Sequence, residues 1–331
     1  LSRQKGHDEA GKRLRVWTLT DGSAGSKNQV VGLVEALGWK ALHKVADLRG
    51  LWSLVPGGEC LWSPLKHLRP AGVLGPPWPQ ILVSAGRRAA LIARSVRRVS
   101  QGKTQLIHLQ NPGKHPQDFR WIIVPEHDGL EGYNVIHTRG ALHHVTPSKL
   151  QRAKLTCKFL DSLPSPRIAV LLGGSLRHKY TLMSRRMALL IQELQHMKRE
   201  TGASLMISTS RRTGDTNAKM LREAFTTEPG VIIWDGSAPN PYLGYLAWAD
   251  TVLVTEDSIN MMSEAMETEK PIYTLPLPGL PNVKSKRFAQ RLVDEGIARL
   301  YQGGKLATWS YTPYRDLDHV LKQLQADDGL V

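Results

Sequence analysis

Cysteine is nearly missing from the sequence. Cys60 and Cys157 are the only two, far apart, which excludes a disulfide scaffold and a cysteine-based zinc site and suits a reducing compartment. Aromatic residues are sparse at 6%. With no RNP-type aromatic signature and no zinc-finger spacing, nucleic acid is disfavoured as a partner. No apolar run reaches the roughly 18–20 residues of a membrane span. The longest, Ile168–Leu172 and Val231–Trp234, are strand-sized. The sequence also lacks a His-Glu-x-x-His pair, paired histidine ligands, a serine nucleophile elbow, a GxGxxG fingerprint and a Gly-Lys-[Ser/Thr] ending. Zincin, α/β-hydrolase and P-loop readings therefore fall away, and no metal or cofactor is expected. The first 13 residues are polar and basic, carry Asp8 and Glu9, and have no apolar signal-peptide core. They read as a disordered leader on a cytoplasmic chain.

What the sequence does have is positive charge, concentrated in its first half. The formal net charge is +15 over 331 residues. Residues 1–160 hold 24 Lys and Arg against 10 Asp and Glu, whereas residues 161–331 hold 20 against 19. A field of one sign attracts anionic headgroups or acidic acceptors. The densest cluster is 86–100. At 100° per residue Arg87, Arg94 and Arg98 share one helix face, opposite Ala89, Ile92, Val96 and Val99. This basic stripe is either a solvated surface or a peripheral contact with an anionic membrane.

At 41% hydrophobic and 22% charged residues the chain can build packed cores, and its length favours two domains. Strand-sized apolar runs alternate with helical spacing. Arg15–Thr20, Ile81–Val83, Thr104–Leu109 and Trp121–Val124 read as strands in the first half, with helices over 28–37 and 87–100. The Pro-, Gly- and Trp-rich stretch 52–79 reads as an irregular excursion. After Asp161-Ser-Leu-Pro-Ser-Pro166 the pattern restarts, with strands at 167–172, 204–209, 231–234, 251–254 and 271–275. Helices fall between them, and a last helix is expected over 316–324. Buried strands alternating with helices predict an α/β fold of two Rossmann-like, doubly wound parallel-sheet domains. The expected divisions are a domain over 14–160, a linker at 161–166, a domain over 167–310, and a C-terminal helix (311–331) returning to the first domain. Ligands of such sheets sit at the carboxyl ends of the strands.

Three motifs fall at those ends. Gly173-Gly174-Ser175 follows a strand, with Arg177 close by. It is either a tight turn or a cradle whose backbone N–H groups approach a phosphate. Asp21-Gly22-Ser-Ala-Gly25 is the matching loop in the first half. Ser208-Thr-Ser-Arg211-Arg-Thr-Gly214 offers hydroxyls and guanidinium groups to an anion, or simply caps a helix. Acid–base candidates are His108, His127, Asp128 and Asp21, each at a predicted strand end or turn. Imidazole exchanges protons most readily near neutral pH, so Pro125-Glu-His-Asp128 is the best placed of them.

The stretch from Tyr245 to Gly279 resembles the C-terminal domain of GT-B glycosyltransferases, in particular the lipid II synthase (MurG-like) group. It contains Ala249-Asp250, Thr255-Glu-Asp-Ser258, Ser263-Glu264-Ala265 and Lys270-Pro271. In that group a helix N-terminus faces the nucleotide diphosphate and a Glu holds the ribose hydroxyls. The matching positions are Ser258 and Glu264. A carboxylate accepts two hydroxyl hydrogen bonds at once and so suits a vicinal diol. Two departures stand out. The first-domain loop has no histidine, and Glu256 and Asp257 place two carboxylates where phosphate is expected. Either these bind sugar hydroxyls or a cation, or no nucleotide sits there in the usual pose.

A second resemblance spans nearly the whole chain. Trp17–Gly25, Asn28-Gln29, Gly32–Gly38, Ser84–Arg88, His108–Pro112, Val124–Asp128, Gly140–His143, Thr209–Arg212 and Glu256–Ser258 resemble the mitochondrial-fission "elongated mitochondria" family. Its bacterial relatives carry the description of nucleoside-diphosphate-sugar epimerases. The resemblance implies a GT-B fold and a nucleotide-sugar-binding, glycosyltransferase-like protein. Gly173, Gly174, Ser175, Arg177, Arg211, Ser258 and Glu264 would hold the nucleotide, without a metal. The basic first domain would face a lipid-linked acceptor. The alternatives are a non-catalytic adaptor bringing a dynamin-like partner to a membrane (the outer mitochondrial surface in a eukaryote), and a nucleotide-sugar epimerase.

Overall fold

The computed structural model describes residues 14–48, 65, 68–69, 72–176, 180–234, 236, 239–281 and 283–330. The leader, Cys60 and much of the Pro/Gly/Trp-rich excursion lie outside the described residues. Two compact units result. One comprises the chain up to His144 together with 315 onward, and the other is Val145–Tyr314.

The first unit opens with β1 (Val16–Thr20), α1 (Ala24–Ala36), β2 (Ala41–Val45), β3 (Asp47–Leu48) and β4 (Leu68–Arg69). It continues with β5 (Ile81–Ala85), α2 (Arg87–Val99), β6 (Gln105–Leu109), β7 (Trp121–Pro125) and β8 (Val135–Thr138). Six strands form one parallel sheet in the order β2-β1-β5-β6-β7-β8. All five residues of β1 and of β5 are buried, as a strand covered on both faces requires. The edge strand β2 was not apparent in the sequence. It keeps Leu42 and Val45 exposed, so its pattern is not a buried run. One face packs under α1, through Val30, Leu33 and Val34. The other packs under α2, through Ala89, Ile92 and Val96. Only a glycine fits at position 32, because a Cβ there would collide with the carbonyl of His143.

The second unit runs through α3 (Pro147–Thr156), β9 (Arg167–Leu172), α4 (Ser184–Thr201), β10 (Ser204–Thr209) and α5 (Asp215–Phe225). It goes on through β11 (Val231–Trp234), α6 (Tyr242–Trp248), β12 (Thr251–Thr255), α7 (Ile259–Met266), β13 (Ile272–Leu275), α8 (Lys284–Asp294) and β14 (Ala298–Leu300). Its sheet is parallel throughout, in the order β11-β10-β9-β12-β13-β14. Helices α4 and α5 cover one face, and α6, α7 and α8 the other.

The division between units differs from the sequence expectation. Residues 145–166 belong to the second unit instead of ending the first or linking the two. Val145, Leu160 and Leu163 are buried in the core shared by α6 and α7. The indole Nε1 of Trp248 donates to the Lys154 carbonyl at 3.1 Å. The first unit is closed by α9 (Asp316–Gln325). There Val320, Leu324 and Leu330 join Ile81 and Ile107 in the core. Asp316 accepts the backbone N–H groups of Arg139 (2.9 Å) and Gly140 (2.8 Å). Asp327 is gripped by the Arg120 guanidinium and by Trp121 Nε1 at 2.7 Å. Among the described residues no helix is long and apolar enough to cross a membrane.

Candidate functional site

In the second sheet the winding reverses between β9 and β12: β10 and β11 lie to one side, β13 and β14 to the other. A doubly wound sheet opens a crevice at the carboxyl ends of such a pair. Gly173 and Gly174 leave β9 there, and Glu256, Asp257 and Ser258 leave β12. A cavity of about 400 Å³ lies beside them. Its polar wall is made by Arg212, Asp257, Ser258, Asn260, Lys284 and Ser285. Leu176, Ile259 and Val283 supply the apolar remainder.

Each of these side chains has a local cause. Gly173 N–H donates to Thr255 Oγ1 at 2.8 Å, tying the two strand ends together. Gly174 N–H donates to Asp257 Oδ2 at 2.9 Å, and Arg212 Nη1 donates to the same oxygen. Both positions favour glycine. A Cβ on 173 would collide with the Asp257 carboxyl, and one on 174 with the Arg212 carbonyl. Ser258 caps α7, accepting the Met261 N–H at 3.4 Å. Glu256 turns away and accepts the Leu277 N–H at 2.8 Å. The two carboxylates expected to repel phosphate are thus used differently. Glu256 braces the loop after β13, and Asp257 is neutralised by Arg212.

The sequence-derived nucleotide set is only partly brought together. Gly173 and Gly174 adjoin the cavity through Asp257, and Ser258 lines it. Ser175 turns back into its own loop, where Oγ accepts the Leu182 N–H at 3.0 Å. Arg177 lies outside the described residues. Arg211 is exposed, and the neighbouring Arg212 makes the contact instead. In the turn 210–213, Ser210 and Thr213 bond each other, and this fixes which arginine faces in. Glu264 is buried and is absent from the cavity wall. Its Oε2 accepts the Tyr242 hydroxyl at 2.6 Å. Burial, then the Glu264 charge, raise the Tyr242 pKa well above the usual phenol value. Lys284, Ser285 and Asn260 went unnoticed in the sequence because a run such as Lys-Ser-Lys-Arg reads as an ordinary helix surface.

In the first unit His108 is a core residue. It lies inside β6 with no solvent exposure, its Nδ1 is 2.8 Å from Ser84 Oγ, and its ring packs on Phe119. Burial drives its pKa down to about 3. A neutral imidazole sealed from solvent exchanges no proton with substrate, so the catalytic expectation for His108 is withdrawn. His127 and Asp128 sit together in the turn after β7, Nε2 to Oδ1 being 3.9 Å. Asp21 accepts the Ser23 N–H at 2.9 Å as α1 begins. Gly22 takes a left-handed φ of 83°, whereas Gly25 is already the second residue of α1 and not part of a loop. The basic stripe is uneven. Arg87 and Arg98 are exposed, but Arg94 is mostly buried against Asp118. Val99, at the helix end, is exposed instead of facing the core.

The family described as Mitochondrial fission ELM1 matches residues 24–327. The chain belongs to that family. The Arabidopsis thaliana mitochondrial fission protein ELM1 is 29% identical over 72% of the chain. The chain spans 61% of that plant relative's length. An uncharacterized protein of Rickettsia prowazekii (strain Madrid E) is 25% identical, covering 93% of the chain and 96% of its own length. Among solved structures, a UDP-GlcNAc 2-epimerase from Methanocaldococcus jannaschii, in complex with UDP-GlcNAc and UDP, has a TM-score of 0.59 at 14% identity. It covers 95% of this chain and 100% of that one. MurG from Acinetobacter baumannii has a TM-score of 0.52 at 10% identity, covering 95% and 99%. This ELM1-family chain therefore has the two-Rossmann GT-B fold that these enzymes share.

Proposed function

We propose that this ELM1-family chain is a nucleotide-sugar-binding, glycosyltransferase-like protein whose second unit receives the nucleotide sugar. The observation that carries this reading is the cavity itself. It lies at the winding reversal of the second sheet, and its wall holds Arg212, Lys284, Ser258 and Asn260 against one neutralised carboxylate. Such a wall suits a phosphorylated, hydroxyl-rich ligand. The M. jannaschii epimerase, of the same fold, was solved with UDP-GlcNAc and UDP.

The test is thermal shift and calorimetry with UDP, GDP, ADP and CMP and their common sugar conjugates. A ligand that binds the folded state raises Tm by mass action. Binding by the wild type that is lost in Arg212→Ala is the expected outcome. No binding by any of these compounds would sink the reading. Acceptor-dependent release of nucleotide would identify a transferase, and an altered sugar without an acceptor an epimerase.

A second reading, an adaptor that has kept the fold without its chemistry, is favoured by one contact. Asp257 occupies the Gly174 amide and the Arg212 guanidinium. In that reading the basic first unit engages an anionic membrane or a dynamin-like partner, and the chain binds none of the nucleotides tested.

A further inference from the structure

We infer that the cavity of the second unit seats a phosphate at the N-terminus of α8, on Lys284 and Ser285, while Asp257 takes a hydroxyl of the same ligand. The Gly173–Gly174 loop is then not the phosphate seat. The inference deepens the reading above and rests on it for the nucleotide part of the ligand, though not for the phosphate.

Three observations converge. The loop after β9 is already filled by an anion. Asp257 Oδ2 takes both the Gly174 N–H and the Arg212 guanidinium, and its side chain is fully buried. A phosphate placed there would meet a carboxylate at contact distance.

The start of α8 is the reverse case. Among the described residues nothing caps this eleven-residue helix with a side chain, and its first turn holds no acidic residue. That turn carries Lys284, Lys286 and Arg287 instead. Cations at a helix N-terminus oppose the helix dipole, and such an N-terminus favours an anion. A phosphate seated at this N-terminus offsets the like sign of the dipole and of the lysine beside it.

Two residues of the cavity wall each carry a buried polar atom with no hydrogen-bond partner among the described residues. The atoms are Ser285 Oγ and Asp257 Oδ1. Both residues line the same cavity. Buried polar atoms are nearly always bonded. A ligand supplies what is missing: a phosphate oxygen accepts from Ser285 Oγ, and a hydroxyl donates to Asp257 Oδ1. The chemical class is a phosphate ester of a polyol.

Calorimetry with inorganic pyrophosphate and with UDP, on the wild type and on Lys284→Ala, Ser285→Ala and Asp257→Asn, tests this. Lys284 is exposed, so its replacement leaves the fold intact. Lys284→Ala is expected to weaken pyrophosphate and UDP about tenfold or more, the worth of one charge-assisted contact. Ser285→Ala should weaken both severalfold. Asp257→Asn should keep pyrophosphate binding within about twofold of the wild type or strengthen it. The inference is overturned if the wild type does not bind pyrophosphate, if both Lys284→Ala and Ser285→Ala bind it unchanged, or if Asp257→Asn loses it as Lys284→Ala does. Pyrophosphate bound through Lys284 with no nucleotide sugar bound would keep the seat and remove the nucleotide reading. Nucleotide binding insensitive to Lys284 would do the opposite.

Discussion

The carboxylate of Asp257 occupies the space in which residue 173 would otherwise carry a side chain. Gly173 and Asp257 are therefore one structural unit, although they lie 84 positions apart in the sequence. Gly173→Ala should destabilise the second unit by about 1–3 kcal/mol through overpacking. Asp257→Ala should recover part of that loss in the double mutant, since residues in contact do not add. Urea unfolding of the four proteins measures the coupling. Strict additivity would show that the carboxylate is not what excludes the methyl group.

His108 gives the fold a pH dependence of known sign. Its folded pKa is about 3, below the roughly 6.5 of an unfolded histidine. Between those values the unfolded chain binds the proton and the folded one does not. Stability is thus lost as pH falls from about 6.5 toward 3, by up to about 1.4 kcal/mol per pH unit. His108→Gln should flatten that slope. An NMR titration showing the ring protonated at pH 6 in the folded protein would refute the assignment.

A second acid-sensitive contact fastens α9. Bonding to Arg120 holds Asp327 down at about 2, against roughly 3.9 when unfolded. Its contribution is complete above about pH 4 and disappears as pH falls toward 2. Asp327→Asn should lower the protection of amides over 316–330 at neutral pH and lessen, without abolishing, the further loss of protection that acid brings across that window, because His108 and the Asp316 carboxylate still titrate. Unchanged exchange in the variant would mean that the apolar contacts of Val320 and Leu324 hold the helix alone.

Tyr242 positions Glu264. Tyr242→Phe removes the 2.6 Å donation to Oε2 and leaves a buried carboxylate less well satisfied, at a cost of about 1–3 kcal/mol. If Glu264 meets a ribose, the same change should weaken nucleotide binding while leaving pyrophosphate binding alone. Equal losses for both ligands would place Glu264 outside the ribose contact.

The strand–helix alternation is legible because buried strands such as Ile168–Leu172 leave strand-length apolar runs. Elements with weaker patterns escaped: the half-exposed edge β2, the three-residue β14, and α3, whose single fully buried residue is Ala153. The boundary near 161 followed Pro and Ser content, whereas Leu160 and Leu163 already belong to the second core. At the site the sequence shows a glycine turn after a strand but not its reason, which is the room that the Asp257 carboxyl and the Arg212 carbonyl need. Which of Arg211 and Arg212 turns inward depends on the Ser210–Thr213 hydrogen bond, which sequence spacing does not encode. His108 lies in a run of β-formers, and its polarity alone drew attention to it.

The second unit interrupts the first, because Arg315 onward returns to complete a core begun at Leu14. During synthesis, the core of the second unit can close as soon as residues 145–314 emerge, because its buried clusters are built from them alone. The earlier half must wait for Val320, Leu324 and Leu330. The chain order therefore lets the second core close before the first, against the usual N-terminal-first order. While it waits, the face of Ile81 and Ile107 under α9 is open to chaperones, and a message truncated after about residue 314 leaves a folded second unit beside an unfinished first.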